Sequence, residues 1–306
     1  MSLPSVVIIV LNWNGRDDTL ACLSSLDRLE YPAYSIVVVD NGSGDDSVSA
    51  IRSRFPNLTV LETGANLGYV GGNNFGIEHA RTTNAEYVLL LNNDTEVAPD
   101  MLTRLVEVTE ADSRIGGVGP TIYYFDQRDV VWSAGGAIDW ARGNTRMLGL
   151  DEADTGQFGK TPRSVDFVTG CALLVRMSVF DQVGTLDPRF FAYYEETEWC
   201  VRASRAGFTI LHVPGARMWH KISALSRDVS PIVLYYMTRN RLLFLSVIHA
   251  GWRAWAYTLF VDYLRTLLSW SVRPKWRSKR EQRVVMLHAI SDYFAGRGGP
   301  WSLRLG

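Results

Sequence analysis

Four short stretches of this chain carry side chains that can do chemistry on phosphates and hydroxyls. Asp94 closes Asn92-Asn93-Asp94, directly after the apolar run Tyr87 to Leu91. A carboxylate at a strand end can hold a divalent cation between two phosphates, because hard cations prefer oxygen ligands. The same triplet also makes an Asx turn or starts a helix. Glu195, Glu196 and Glu198 crowd into four residues where Phe190 to Tyr194, read as an aromatic strand, gives way to a helix from about Glu196 to Gly207. Helix N-termini stabilise carboxylates as anions, and an ionised carboxylate is what a general base must be at neutral pH. Dipole complementation without catalysis is the alternative. His220, in Met218-Trp219-His220-Lys221, can ligate a Mn2+-type metal, with Lys221 or Arg227 facing phosphate, or be a hydrogen-bonded structural residue. Asp40 ends Val37-Val-Val-Asp-Asn-Gly-Ser43, where a carboxylate can accept the imide N–H of a pyrimidine and Gly42 and Gly44 admit close approach, or simply form a turn.

These residues need elements to position them. Val6 to Leu11 is a continuous β-branched and leucine run without alternation, the pattern of a strand buried on both faces of a parallel sheet. It stops at Asn12-Trp13-Asn14-Gly15. Asp17 and Asp18 are candidate caps for a helix turning Leu20, Leu23 and Leu26 inward, and Ile36 to Asp40 is the next strand. The grammar repeats with a helix through Ile51, a strand Leu58 to Glu62, a helix near Val70 to Ala80 and a strand Tyr87 to Leu91. Alternating strands and helices mean an open α/β sheet, whose ligands bind outside the carboxyl ends of the strands. Asn12 and Asn14, Asp40 and Asn41, and Asn92, Asn93 and Asp94 all fall at such ends. Between Pro120 and about Arg163 the sequence is too irregular to assign. Order resumes over Val165 to Val175, and a strand Thr209 to Val213 follows the acidic helix.

The 306 residues are 47% apolar and 21% charged, and 31 Lys and Arg against 32 Asp and Glu leave a net charge of −1. That excludes wholesale disorder and a generic nucleic-acid binder. Cys22, Cys171 and Cys200 lie far apart, so neither a disulfide framework nor a cysteine-rich zinc site is expected, and a reducing cytosol fits. No signal peptide is read at the N-terminus. The first strand runs into Leu-Asn-Trp-Asn-Gly and not a G-x-G-x-x-G turn, and no G-x-x-x-x-G-K-[ST] occurs, which disfavours a dehydrogenase and a P-loop hydrolase.

Past Pro231 the chain reads as helical and aromatic. Trp252, Trp255, Leu259, Tyr263, Leu267 and Trp270 step by three or four onto one helical face, interrupted by Asp262 and Arg265, which argues against a spanning helix. Arg273, Lys275, Arg277, Lys279, Arg280 and Arg283 follow. Stripe and basic cluster suit an anionic membrane surface across 252–283, or packing on the α/β domain or a second subunit in a homo-oligomer.

Together these motifs resemble the family 2 glycosyltransferases, rhamnosyltransferase-like members in particular. The resemblance rests on Leu11-Asn-Trp-Asn14, Val39-Asp-Asn-Gly-Ser43, Asn66-Leu-Gly-Tyr-Val-Gly-Gly-Asn-Asn-Phe-Gly76, Leu91-Asn-Asn-Asp-Thr95, Thr169-Gly-Cys171, Tyr194-Glu-Glu-Thr-Glu-Trp-Cys-Val-Arg202 and Trp219-His220, within residues 5 to 245. It implies the GT-A nucleotide-diphospho-sugar transferase fold over 1–230, a mostly parallel sheet flanked by helices. The nucleotide half would span about 1–120, the acceptor and catalytic half about 121–230, and a helical extension 231–306.

By the same resemblance Asp40 reads the base, and Asn12, Asn14, Asn41, Asn92 and Asn93 lie beside the nucleotide. Asn66, Gly68, Gly71 and Asn74 shape the donor pocket. Asp94 and His220 bind Mn2+ or Mg2+, and Glu196 is the base, with Glu195 or Glu198 as alternatives. Asn92 stands where the family's Asp-x-Asp motif has its first acid, and Glu196 where Asp is usual. The implied reaction is an inverting displacement from a nucleoside-diphosphate sugar, with dTDP-rhamnose favoured over a UDP-hexose. The acceptor would be a surface glycan or lipid-linked hydroxyl, and the location cytoplasmic, at the inner membrane face. Alternatives are a sugar nucleotidyltransferase and a non-catalytic sugar-nucleotide-binding protein.

Overall fold

The computed structural model describes residues 3–222 and 230–301; Arg227 lies outside them. The N-terminal half alternates β1 (Val6–Asn12), α1 (Arg16–Leu26), β2 (Tyr34–Asp40), α2 (Ser47–Arg54), β3 (Thr59–Glu62), α3 (Gly68–Thr82), β4 (Tyr87–Asn92), β5 (Thr95–Val97) and α4 (Met101–Ala111). Then come β6 (Ile115–Tyr124), β7 (Val130–Ser133), the hairpin β8 (Gly136–Asp139) and β9 (Asn144–Met147), and the short β10 (Glu152–Ala153) and β11 (Arg163–Ser164). These fill the stretch that sequence periodicity left unassigned. After β12 (Ala172–Arg176) and α5 (Met177–Val183) come α6 (Glu195–Arg205) and β13 (Thr209–His220). The chain ends in α7 (Pro231–Val247), α8 (Trp252–Ala256), a π-helical stretch Tyr257–Leu264, α9 (Arg265–Val272) and α10 (Arg280–Phe294).

The main sheet runs β10-β7-β6-β12-β4-β1-β2-β3. Strands β1 to β4 are mutually parallel, whereas β12 is antiparallel to both β4 and β6, and β13 continues beside β6. The unbroken apolar run of β1 is explained by two-sided burial. Val6, Ile8 and Val10 join one core with α1 and α4, while Val7 and Ile9 join another with α3, α6 and α7. Successive side chains of a strand point to opposite faces, so neither face tolerates a polar residue.

Helix α3 lies close to the sheet because Gly72 and Gly76 face it one turn apart. A Cβ on Gly72 would stand 2.4 Å from Leu11 Cδ1, and one on Gly76 2.7 Å from Ile9 Cγ2. Gly68 has φ +74, a left-handed backbone that glycine adopts without penalty.

Several expectations are corrected. Gly15, not Asp17 or Asp18, precedes α1, and the two aspartates sit inside its first turn. Order over Val165 to Val175 narrows to β12. Phe190 to Tyr194 is not a strand. Phe191, Tyr193 and Tyr194 have φ of 67, 70 and 74, and a left-handed turn costs a non-glycine residue roughly 1–2 kcal/mol. Strand β13 does not stop at Val213: a register shift between Val213 and Arg217 absorbs Pro214 to Ala216, and pairing with β6 resumes to His220. The aromatic stripe is largely internal. Trp255, Leu259, Tyr263, Leu267 and Trp270 pack with Leu242 of α7 and Met286 of α10, leaving Trp252 exposed. The opposite face of that helix, with Phe260, Leu264, Leu268 and Val272, is the exposed one.

Candidate active site

Asn12, fully buried, ties together the carboxyl ends of three parallel strands. Its Nδ2 donates to Asp40 Oδ1 (2.7 Å) and Ser43 Oγ (3.1 Å), and its Oδ1 accepts from Thr19 Oγ1 (2.8 Å) and Asn93 Nδ2 (3.3 Å). Asp40 Oδ2 accepts the backbone N–H of Ser43, so the carboxylate is held in one orientation. Asn14, at φ 51, accepts from the Gly44 amide through its Oδ1 (2.7 Å). Asn41 Nδ2 donates to Asn66 Oδ1 and Gly68 O, while its Oδ1 accepts from Leu67 N. Asn66 Oδ1 also accepts from Gly68 N. These bonds fix the loop that starts α3. Gly71 packs where a Cβ would lie 2.5 Å from Leu67 Cβ. The structure places Asn74 elsewhere than at this crevice loop: its amide makes a reciprocal pair with the Leu186 backbone, at 2.8 and 3.1 Å.

Asp94 follows β4, and β13 pairs antiparallel with β5 so that His220 stands opposite Thr95. His220 Nε2 lies 3.0 Å from Asp94 Oδ1, and the Lys221 N–H donates to the Asp94 carbonyl oxygen. Burial works to raise the Asp94 carboxyl, but the hydrogen bond and charge of His220, helped by Lys221, hold it below the usual carboxylate range. Lys221 Nζ is in turn paired with Asp18 at 2.6 Å. The His220 ring meets Trp132 edge-on, and its Nδ1 is buried with no hydrogen-bond partner in the structure.

Ligand atoms about 2.1 Å from a cation on adjacent octahedral corners are about 3.0 Å apart, so this carboxylate and imidazole are spaced to share one. No third His, Cys, Asp or Glu joins them among the described residues. A cation held here would complete its shell with phosphate and water oxygens, the usual habit of Mg2+.

The acidic helix reaches the same place through β12. Register sets Ala172 opposite Leu91, and the Asn92 N–H donates to Cys171 O. Gly170, one residue earlier, lies near Glu196, whose carboxyl its backbone amide helps to hold down, and its carbonyl accepts the Tyr69 hydroxyl at 2.5 Å. A Cβ on Gly170 would stand 2.6 Å from that hydroxyl. Burial raises the Glu196 carboxyl, and the amides of Thr197 and Gly170 offset only part of this. Glu195 is pushed well above the ordinary glutamate value, by burial first and by the charge of Glu196 second. Oε2 of each is out of water and without a hydrogen-bond partner. Burial likewise drives the Cys171 thiol well up, with the charges of Asp94 and Glu196 adding to it. Glu198 is spent structurally, in a double hydrogen bond with Arg202 at 2.8 and 2.8 Å.

Tyr69 and Gly170 belong to stretches singled out by the motif likeness, but no feature of the sequence assigned them a role. Arg239 and Asn240 in α7 were missed altogether, though the consecutive polar residues Thr238 to Arg241 inside a mostly apolar helix signal a buried use.

The site lies at the carboxyl ends of parallel strands, where doubly wound α/β proteins bind ligands. A family model described as Glycosyl transferase family 2 matches residues 5–184, and the chain belongs to that family. It is 29% identical over 252 residues to an N-acetylglucosaminyl-diphospho-decaprenol L-rhamnosyltransferase of Mycobacterium tuberculosis, covering 75% of this chain and 80% of that one. It is 25% identical over 257 residues to a dTDP-rhamnosyl transferase, RfbF, of Shigella flexneri, covering 80% and 81%. The mannosyltransferase PcManGT of Pyrobaculum calidifontis, solved with GDP-Man and Mn2+, superposes with a TM-score of 0.61 at 14% identity over 97% of this chain and 89% of that one. The fold is of the GT-A type and the protein is a glycosyltransferase, which settles its class against a nucleotidyltransferase or a non-catalytic binder.

Proposed function

We propose that the protein transfers L-rhamnose from dTDP-rhamnose to a hydroxyl of a lipid-linked glycan, with inversion at the anomeric carbon. The observation that carries the reading is that Asp94, bonded to His220, and Glu196, from separate parts of the chain, both lie near enough to Cys171 for their charges to raise its thiol. Two rhamnosyltransferases among its relatives support the donor, and the decaprenol-linked acceptor of one of them supports the acceptor class.

In this reading Asp40, oriented by Asn12 and Ser43, accepts the imide N–H of the pyrimidine. Glu196 takes the acceptor's hydroxyl proton on its unpartnered Oε2, and the freed oxygen attacks the anomeric carbon. A carboxyl raised by burial is a stronger base than an exposed one. Asp94 and His220 would hold a divalent cation, Mn2+ or Mg2+, which would supply charge neutralisation for the departing diphosphate. Glu195 shares the burial of its neighbour and keeps the pair from both ionising readily.

A lipid-linked acceptor sits at a membrane surface, and no helix of the described residues is long and apolar enough to cross one. Peripheral contact therefore falls to the exposed face Phe260, Leu264, Leu268 and Val272, which with Arg265 and Arg273 lines a depression of about 350 Å³. Apolar residues rimmed by arginines fit an anionic bilayer.

The test is release of dTDP from dTDP-rhamnose with Mn2+, against UDP-hexoses. Turnover of a UDP-hexose in preference to dTDP-rhamnose overturns the donor assignment.

A further inference from the structure

Residues 190–194 lead into the acidic helix along a path that the local sequence does not favour, since three of the five are left-handed and none is glycine. Something outside the segment must hold it. The Asn240 amide, fully buried in α7, donates from Nδ2 to three carbonyl oxygens of the segment: Phe190 at 2.9 Å, Ala192 at 2.7 Å and Tyr193 at 2.8 Å. Arg239 fixes which way that amide faces, because its Nε donates to Asn240 Oδ1 at 2.9 Å and leaves Nδ2 toward the loop. The rest of the guanidinium reaches Phe190 O and Arg189 O through Nη2 and Gly299 O through Nη1.

Beyond the segment the Tyr194 carbonyl accepts the Glu198 N–H, starting α6, and Phe191 O accepts the Val70 N–H at the start of α3. The segment thus connects α7 to the helix that bears Glu195 and Glu196, and to the glycine-rich helix beside Asp40.

We propose that Arg239 and Asn240 are positioning residues for transfer, clamping the 190–194 segment so that Glu196 meets the acceptor hydroxyl. The proposal rests on the reading of Glu196 as the base. Misplacing a reacting group by about 1 Å costs on the order of 10²-fold in rate. The base-reading side, held by Asn12, Asp40 and Ser43, is built from other bonds and should not feel the loss.

The experiment compares the full chain carrying Asn240→Asp, whose carboxylate cannot donate to the three carbonyls, with the parent and with Glu196→Gln. Release of dTDP from dTDP-rhamnose with Mn2+ is followed across pH, together with dTDP binding and amide hydrogen exchange. The clamp predicts kcat lowered about 10²-fold, donor KM and dTDP affinity within twofold, and faster exchange at the Glu198 amide than in β1 and β4. It also predicts that the acid limb of kcat moves to lower pH, because a loosened loop hydrates the carboxyl pair, whereas a reduced folded fraction lowers kcat without moving that limb.

Parent-like kcat and parent-like Glu198 exchange overturn the clamp, and do so with the base reading intact if Glu196→Gln is inactive. Full activity in Glu196→Gln overturns the base reading and the clamp's catalytic role with it. Should dTDP-rhamnose not be turned over by the parent, unchanged Glu198 exchange still overturns the proposal and selective acceleration supports it. Asn240→Ser, smaller and uncharged, gives the same discrimination if Asn240→Asp does not fold.

Discussion

His220 Nε2 lies 3.0 Å from Asp94 Oδ1 although 126 positions separate the two residues in the chain. The antiparallel pairing of β5 with β13 brings them together, and the imidazole reaches Asp94 only because β13 continues past its irregularity at Pro214 to Ala216.

If the pair holds a cation, either ligand alone should bind it poorly. Asp94→Ala and His220→Ala are each expected to weaken Mn2+-dependent binding of dTDP at least tenfold, about 1.4 kcal/mol, without changing metal-free binding. Titration calorimetry with and without Mn2+ reads the difference; equal Mn2+ dependence in parent and variants rules the pair out.

Burial of Glu195 has a consequence for stability as well as rate. An unfolded glutamate titrates near ~4.3, and the folded value is raised, so the folded chain binds that proton more tightly. The stability this supplies is fully present below the unfolded value and is lost as pH rises through the folded one. Glu195→Gln stays neutral throughout and is therefore expected to raise the thermal midpoint at pH 7.5, by an amount that shrinks toward pH 4. A gain that instead grows on acidification is inconsistent with a buried, destabilised carboxylate.

Asn74 illustrates a residue whose motif position and structural use differ. Its reciprocal pair with Leu186 ties α3 to the segment before the acidic helix. Asn74→Ala should cost about 1–3 kcal/mol by leaving buried backbone groups unpaired, with dTDP affinity unchanged. Urea denaturation and calorimetry check both halves; lost nucleotide affinity without lost stability would return Asn74 to the donor pocket.

The exposed face of the C-terminal helices offers a test that leaves the site alone. Replacing Phe260, Leu264 and Leu268 together by serine should sharply reduce co-sedimentation with anionic vesicles and leave dTDP release unchanged. Replacing Trp255 and Leu267, which face the interior, should instead lower the thermal midpoint. Equal sedimentation of parent and triple variant removes the membrane assignment.

The parallel half of the fold was legible because a strand buried on both faces leaves an unmistakable apolar run, as Val6 to Leu11 does. Asp40 and Asp94 were legible as strand-end residues for the same reason, since one closes such a run and the other follows it by two residues. Phe190 to Tyr194 misled because its aromatic residues have a strand-like density while the left-handed turn they form is held from a distance, by Asn240, 47 to 50 positions away. Pro214-Gly215 read as the end of a strand, yet a bulge accommodates them beside β6. The aromatic stripe had the right helical period, but periodicity shows only that a face is shared and not what covers it. Tyr69 and Gly170 have meaning only once β12 is laid against β4.

The most direct measurement is single-turnover transfer by Glu196→Gln with dTDP-rhamnose, Mn2+ and a polyprenyl-diphosphate-linked N-acetylglucosamine acceptor. The account predicts that this variant binds dTDP with parent affinity and forms product at least 10²-fold more slowly. Product formation at the parent rate, with the glutamine in place, would contradict it.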